Sequence, residues 1–307
     1  MRKIARNLPL RLPRGAPQCA KSPLAARARL AYQTGMRGAP ADLRQLASRL
    51  EQLAREAGAI AMADFRPGER TSAAIRLKGG GSPVTDADIA VDRFLHEGAR
   101  AILPQAGWLS EESADNPERL EREALFIVDP IDGTTAFLRG DPRWSVSLAL
   151  VEKGRPVVGV VHAPALGQTF LALAGGGAFL NDEAIAVSAR ADLQGAAFVA
   201  PTEYQDYLGD SPHELRFVKR TPSLALRIAQ IAMGEADVAI AKPNSRDWDI
   251  AAADVILSEA GGALVELDGD ALSYNRPNPR RDMLVAAPKA LLGESIVLAK
   301  AAARRGP

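Results

Sequence analysis

The stretch Asp129-Pro130-Ile131-Asp132-Gly133-Thr134-Thr135 constrains this chain more than any other. It follows the apolar run Ala124 to Val128 and precedes Ala136-Phe137-Leu138, which reads as a buried strand entering a polar turn. Two carboxylates three residues apart cannot both point into a core without a positive charge between them, because an unpaired buried carboxylate is costly. A divalent metal meets that need. Pro130 fixes φ and removes a donor, so the turn can aim Asp129, Asp132 and the Ile131 carbonyl at one place. All three offer hard oxygen ligands, which suit Mg²⁺ better than zinc. Gly133 permits close backbone approach, and Thr134 and Thr135 bring hydroxyls and N–H groups to a prospective helix start, a natural anion site. A plain strand-to-helix turn, with Asp132 as an N-cap and Asp129 as a turn residue, fits the bare D-x-x-D equally well. The rest of the chain has to decide.

At 307 residues, 47% of them hydrophobic, the chain can bury a sizeable core in two modest domains or one large one. Its formal charge of +1 hides an asymmetry: the first 35 residues carry eight basic residues and no acid, which leaves −7 on Met36 to Pro307. The main body is therefore no general binder of nucleic-acid polymers. The leader lacks the continuous apolar segment of a secretory signal. We expect residues 1–35 to be a disordered or over-extended leader, with a mitochondrial-type targeting segment as the alternative and Met36 as a sensible start. The single cysteine, Cys19, excludes an intrachain disulfide, and a reducing cytoplasm fits. No uninterrupted apolar run is long enough to predict a transmembrane helix.

Leu43, Leu46, Leu50, Leu53, Ala57, Ile60 and Ala61 predict an amphipathic helix ending near Arg66-Pro67-Gly68. Gly79-Gly80-Gly81-Ser82-Pro83 reads as a mobile loop, since it lacks the ending of a phosphate-cradling P-loop. Asp86, Asp88 and Asp92 open a second helix, with Thr85 or Asp86 as its cap; locally, the cap reading explains Asp88 better than a metal or water contact. Glu111 and Glu112 follow an apolar pair and read, on their own, as solvated. Ser145 to Val151, Val157 to Val161 and Thr169 to Ala172 predict an antiparallel sheet, with a tight turn at Gly175 to Asp182. Beyond about residue 185 strands and helices alternate: strand 197–200, helix 223–233, strand 236–241, helix 249–260, strands 264–266 and 283–286, and a last helix 289–303. Trp248 reads as a packing residue. Asp249 is either an N-cap or an acid delivered to a shared metal site.

Taken together, Ser82-Pro83-Val84-Thr85 to Asp88, Ser110-Glu111-Glu112, Asp129 to Thr135, Gly177 to Asn181, and Trp248-Asp249 to Gly262 resemble the inositol monophosphatase superfamily of Mg²⁺-dependent, lithium-sensitive phosphatases. The resemblance covers about residues 40 to 300. It implies an α/β fold, the layered α-β-α-β-α sandwich of the inositol monophosphatase and fructose-1,6-bisphosphatase type, with halves 36–185 and 186–307. It also implies two to three Mg²⁺ ions: Glu111, Asp129 and the Ile131 carbonyl for the first, Asp129, Asp132 and Asp249 for the second, and Asp88 with Glu111 for the third. By the same resemblance Thr134 acts with Asp88 on the attacking water, and the Gly133 and Thr134 amides hold the phosphate. No protein nucleophile is required, so His96, His162 and His213 read as structural or exposed.

The resemblance also frames the substrate, a small phosphorylated metabolite. The inositol-specific branch has Asn after Asp-Gly-Thr-Thr and an acid seven residues before the second-half aspartate; here Ala136 and Lys242 stand there. Phe137-Leu138-Arg139-Gly140 and Ser-Pro-Val-Thr look more like the 3'(2'),5'-bisphosphate nucleotidase branch, which acts on adenosine 3',5'-bisphosphate, although Thr135 replaces the basic residue common there. Lys242, Arg246 or Arg139 are candidates to pair with a second anionic group. Inositol monophosphate, histidinol phosphate and fructose 1,6-bisphosphate are the other substrates considered. A non-catalytic family member that binds a phosphorylated ligand or partner, or an RNA binder using the basic leader as an arm, would belong to a different class. Family members are often homodimers, though no surface stripe here marks an interface.

Overall fold

The computed structural model describes residues 39–77 and 83–305. The basic leader, with Cys19 and Met36, and the glycine-rich loop Gly79 to Ser82 lie outside those residues.

The first helix, α1 (Ala41–Met62), buries Ala47, Leu50, Leu53, Ala57 and Ala61 along one stripe, as its periodicity predicts. It stops a turn before Arg66 because the chain bends to place Phe65 against Phe137 and Trp144, with centroids 5.8 and 5.6 Å away. A short ribbon, β1 (Ile75–Leu77) and β2 (Pro83–Thr85), leads into α2 (Asp86–Ile102). There Thr85 is the N-cap and Asp88 the third helical residue.

Seven strands form the larger sheet, in chain order: β3 (Gly107–Ser110), β4 (Ala124–Asp132), β5 (Ser145–Glu152), β6 (Arg155–Ala163), β7 (Gln168–Leu173), β8 (Gly177–Leu180) and β9 (Glu183–Ala184). The expected antiparallel run is present from β4 onward. The edge strand β3, too short to stand out in the sequence, pairs parallel to β4. Along β4, Leu125 and Ile127 belong to one core cluster and Phe126 and Val128 to another, so the strand separates two packed layers. A single-turn helix, α3 (Thr134–Leu138), follows it.

The second sheet holds β10 (Ala197–Val199), β11 (Arg216–Phe217), β12 (Val238–Ala241), β13 (Gly262–Glu266) and β14 (Leu284–Pro288) in the order β11-β10-β12-β14-β13. Its helices are α4 (Thr202–Gly209), α5 (Leu224–Ala232), α6 (Asp247–Glu259) and α7 (Lys289–Arg305). Helix α4 carried no clear apolar period and was not expected.

Helices α1 and α2 cover the outer face of the large sheet, α5 and α6 fill the space between the sheets, and α4 and α7 cover the far face of the small one. The result is the expected α-β-α-β-α sandwich. Helix α6 is apolar almost all round, with Ile250 to Ala253 and Val255 to Leu257 buried, as a helix between two layers must be. Its close seat on the sheet depends on Gly159 in β6: a Cβ there would lie 2.3 Å from the Ala252 carbonyl oxygen. At its other end, Glu259 accepts from the Gly175 and Gly177 amides at 2.9 Å each, which pins the β7–β8 turn.

Candidate active site

The central motif owes its geometry to a bulge. Asp129 pairs with Ser147 and Asp132 with Ser145, so three steps on β4 oppose two on β5. On a regular strand, residues three apart face opposite sides; the extra residue restores the parity and lets both acids face inward. Pro130, which cannot donate to the ladder, sits at the irregularity. Asp129 accepts from the Ile131 amide at 3.0 Å, and the Ile131 carbonyl accepts from the Thr134 hydroxyl at 3.0 Å. Gly133 has φ +87° and N-caps α3, and a Cβ on it would press to 3.1 Å from the Ser223 amide nitrogen.

Glu111 arrives from the edge strand. Ser110 is in register with Val128, and the Glu111 amide donates to the Val128 carbonyl at 3.2 Å, which sets Glu111 beside Asp129. The solvated reading of Glu111 therefore fails; the residue is half-buried. Asp249 arrives from the second half of the chain, where the N-cap reading also fails. Helix α6 begins two residues earlier, at Asp247, which makes Asp249 its third residue. One Asp249 oxygen accepts from the Arg246 amide at 2.7 Å. Asp88 plays the same local part at α2, accepting from the Thr85 amide at 2.8 Å. An acid at this helical position satisfies an orphan N–H with one oxygen and complements the helix dipole.

The carboxylates of Glu111, Asp129 and Asp249 lie within 4.8 Å of one another. Burial, then Glu111, Asp132, Asp249 and Asp88 in that order, push the Asp129 carboxyl well above the usual range. Asp249 is raised by burial and then by Asp132. Such a group of like charges around buried Asp129 is unfavourable by itself and is relieved by a cation. Hard oxygen donors crowded in this way fit Mg²⁺. Asp132 lies within electrostatic reach but outside the tight trio. One of its oxygens accepts from the Ser223 hydroxyl and from the Ala225 amide at 2.7 Å, and burial raises its carboxyl to about 6 against the pull of those bonds.

Two supporting groups escaped the sequence reading. Ser223, the N-cap of α5, orients Asp132. Arg227 is fully buried, donates to the Thr221 carbonyl at 3.0 and 2.8 Å, and supplies positive charge towards Asp132 and Asp249. Burial pulls its guanidinium down to about 9, which still leaves it charged at neutral pH. An arginine inside Leu224-Ala225-Leu226-Arg227-Ile228-Ala229 was the signal available.

A buried strap fixes the start of α6. Arg281 donates to Asp247 at 2.6 Å and lies over the Tyr274 ring at 4.8 Å, and the Tyr274 hydroxyl donates to Asp254 at 2.8 Å. Asp247 and Asp254, two turns apart on one helix face, are thus held by one loop. The Ser147 hydroxyl, on β5, adds a bond to the Trp248 carbonyl at 3.2 Å.

The basic residues singled out for substrate are dispersed in their contacts. Lys242 is exposed and ion-paired with Glu203, whereas Arg246 lies 5.8 Å over the Trp248 ring. Arg139 lines an open cleft of about 830 Å³ together with Arg143 and Lys219. His162 is buried against the Thr169 hydroxyl at 2.8 Å, His96 stacks on Trp108, and His213 pairs with Glu294.

A five-layered sandwich with a partly buried carboxylate trio between its sheets fits a class of metal-assisted phosphatases. The chain belongs to the inositol monophosphatase family, whose description it matches over residues 42–303. It is 33% identical over 217 residues to the 3'(2'),5'-bisphosphate nucleotidase CysQ of Aggregatibacter actinomycetemcomitans, covering 67% of this chain and 80% of that protein. It is 34% identical over 227 residues to the inositol-1-monophosphatase of Mesorhizobium japonicum, covering 71% of this chain and 84% of that protein. The structure of the Thermotoga maritima IMPase superposes with a TM-score of 0.72 at 28% identity, over 83% of this chain and 96% of that one. The protein is accordingly a phosphoric monoester hydrolase. Among the described residues, no helix is long and apolar enough to cross a membrane.

Proposed function

We propose that this enzyme hydrolyses adenosine 3',5'-bisphosphate to adenosine monophosphate and phosphate in the cytoplasm, with Mg²⁺ held by Glu111, Asp129, Asp132, Asp249 and the Ile131 carbonyl, and a further ion by Asp88 and Glu111. The observation that carries the metal-assisted reading is the convergence of Glu111, Asp129 and Asp249 within 4.8 Å. When bound, Mg²⁺ draws charge from the phosphate oxygens and activates water near neutral pH. In this reading the Gly133 and Thr134 amides hold the phosphate, Thr134 helps to orient the attacking water, and the Asp88 carboxylate takes up its proton. Ser223 and the α5 N-terminus hold Asp132 in place through the bonds described above.

The choice of substrate rests on Ala136 and Lys242, which replace the residues that suit an inositol ring, and on the likeness to CysQ. Inositol 1-phosphate is the next candidate, because the relatives also include inositol-1-monophosphatases. The test is phosphate release by the full chain, and by Met36 to Pro307, from adenosine 3',5'-bisphosphate, inositol 1-phosphate, histidinol phosphate and fructose 1,6-bisphosphate. Assays with and without Mg²⁺ include an Asp132→Asn control. Preference for the first substrate, lost in the control, is the expected result. A higher kcat/KM on another substrate would replace that assignment, and no Mg²⁺-dependent turnover on any would sink the reading.

A further inference from the structure

Behind the Glu111 loop lies a cavity of about 460 Å³, bounded by the C-terminal end of α2, the edge strand β3 and the 3-10 turn Pro117–Glu121. This volume falls within the range of small-molecule sites. One wall is the stacked pair His96 and Trp108, with centroids 4.5 Å apart and planes at 20°, both rings half-buried. Buried Phe126 lines the cavity as well. Arg100 and Arg122, both exposed, line it with buried Arg119, against the single acid Glu118. Arg119 is already engaged by Asp115, at 2.6 and 2.9 Å, and by Asn275 at 3.0 Å. Its neighbours Arg100 and Arg122 have no ion pair among the described residues.

We propose that this cavity binds a planar aromatic anion, its ring on the His96–Trp108 wall and its negative group between Arg100 and Arg122. An aromatic surface favours a flat ring, and the excess of guanidinium groups selects against cations and favours carboxylate, sulfonate or phosphate. The cavity is wired to the reaction site. The Trp108 indole N–H donates to the Ser113 hydroxyl at 3.4 Å, and the Ser113 and Ser110 hydroxyls both donate to buried Asp92. Ser110 and Ser113 flank Glu111, so a ligand that shifts Trp108 shifts the loop that delivers Glu111. The binding stands independently of the catalytic reading; the coupling rests on Glu111 holding a metal.

The test is calorimetric titration of the full chain with naphthalene-2-sulfonate, a probe that cannot be a substrate. Expected are one saturable site, no displacement by saturating Mg²⁺ and inorganic phosphate, and at least tenfold weaker binding in both Trp108→Leu and the surface double variant Arg100→Glu/Arg122→Glu. Saturating probe should also change Mn²⁺ affinity, read by electron paramagnetic resonance, at least threefold in the parent protein and not in Ser113→Ala. Absence of binding, equal affinity in the arginine variant, or displacement by phosphate would overturn the site. Unchanged Mn²⁺ affinity would overturn the coupling alone. Failure of Mn²⁺ to bind at all would count against the metal reading while the heats still decide the cavity.

Discussion

Substituting Gly159 by alanine tests whether the seat of one helix sets the geometry of the candidate metal site. The added Cβ would lie 2.3 Å from the Ala252 carbonyl oxygen and 2.5 Å from a Val255 methyl. The first contact is about 1 Å short of van der Waals separation, and it is made to backbone, which cannot rotate away. Helix α6 must therefore retreat, and Asp249 moves with it. Overpacking of this kind costs about 1–3 kcal/mol in folding stability, and a displacement of about 1 Å at a reacting centre costs on the order of 100-fold in rate. The control is Leu95→Ala, which hollows the outer layer under α2, costs about 2–5 kcal/mol by cavity formation, and leaves Asp249 in place. Urea unfolding gives the stabilities, and Mg²⁺-dependent phosphate release, measured well below each unfolding midpoint, gives the rates. Gly159→Ala should lose rate and raise the Mg²⁺ requirement out of proportion to its stability loss, whereas Leu95→Ala should do the reverse. Parent-like rate and stability in Gly159→Ala would refute the argument.

Asp129→Asn should raise the metal-free unfolding midpoint, by about 1–3 kcal/mol of stability, because it removes a buried charge repelled by its neighbours. It should also lower Mg²⁺-dependent activity at least 100-fold; a variant less stable than the parent without metal would contradict the electrostatic account. Arg281→Met should cost about 3–5 kcal/mol, since it strands the Asp247 carboxylate at 0% exposure, and Arg281→Met/Asp247→Leu should recover much of that loss. A double variant no better than the single one would show that the strap, rather than the stranded charge, dominates. Burial lowers the His162 imidazole from 6.5 to about 4, so the unfolded chain binds the proton more readily between those values. His162 therefore contributes stability that is complete above pH 6.5 and lost as pH falls towards 4, worth about 3 kcal/mol at most. Urea titrations at pH 7 and pH 5 should show a smaller pH dependence in His162→Asn than in the parent; equal slopes would exclude this role.

Much of the candidate site was legible because its acids sit in strings too specific for turns alone. Asp129 and Asp132 could be placed near a metal from Pro130 and the apolar strand, and Glu111 and Asp249 only by the company of the other motifs. Locally, both looked ordinary. What sequence could not give was the parity change made by the bulge, which needs the register of β5, or the strap from Arg281, whose partner lies 34 residues away. Strand β3 and helix α4 were missed because four residues carry too little period and Thr202–Gly209 has a weak apolar face. Lys242 looked available for substrate until Glu203, from that unexpected helix, was found beside it.

The middle layer also bears on how the chain is made. Residues 107–184 complete the seven-stranded sheet, yet the face carrying Leu125, Ile127, Ala149 and Phe170 is covered in part by α5 and fully only when α6 arrives. That helix ends at Glu259, 75 residues after Ala184. At a synthesis rate of about 5–20 residues per second, a nascent chain shows an incompletely covered apolar sheet to its surroundings for roughly 4–15 s. Over that interval the uncovered face is open to aggregation, and the same helix that brings Asp249 to the acids closes it.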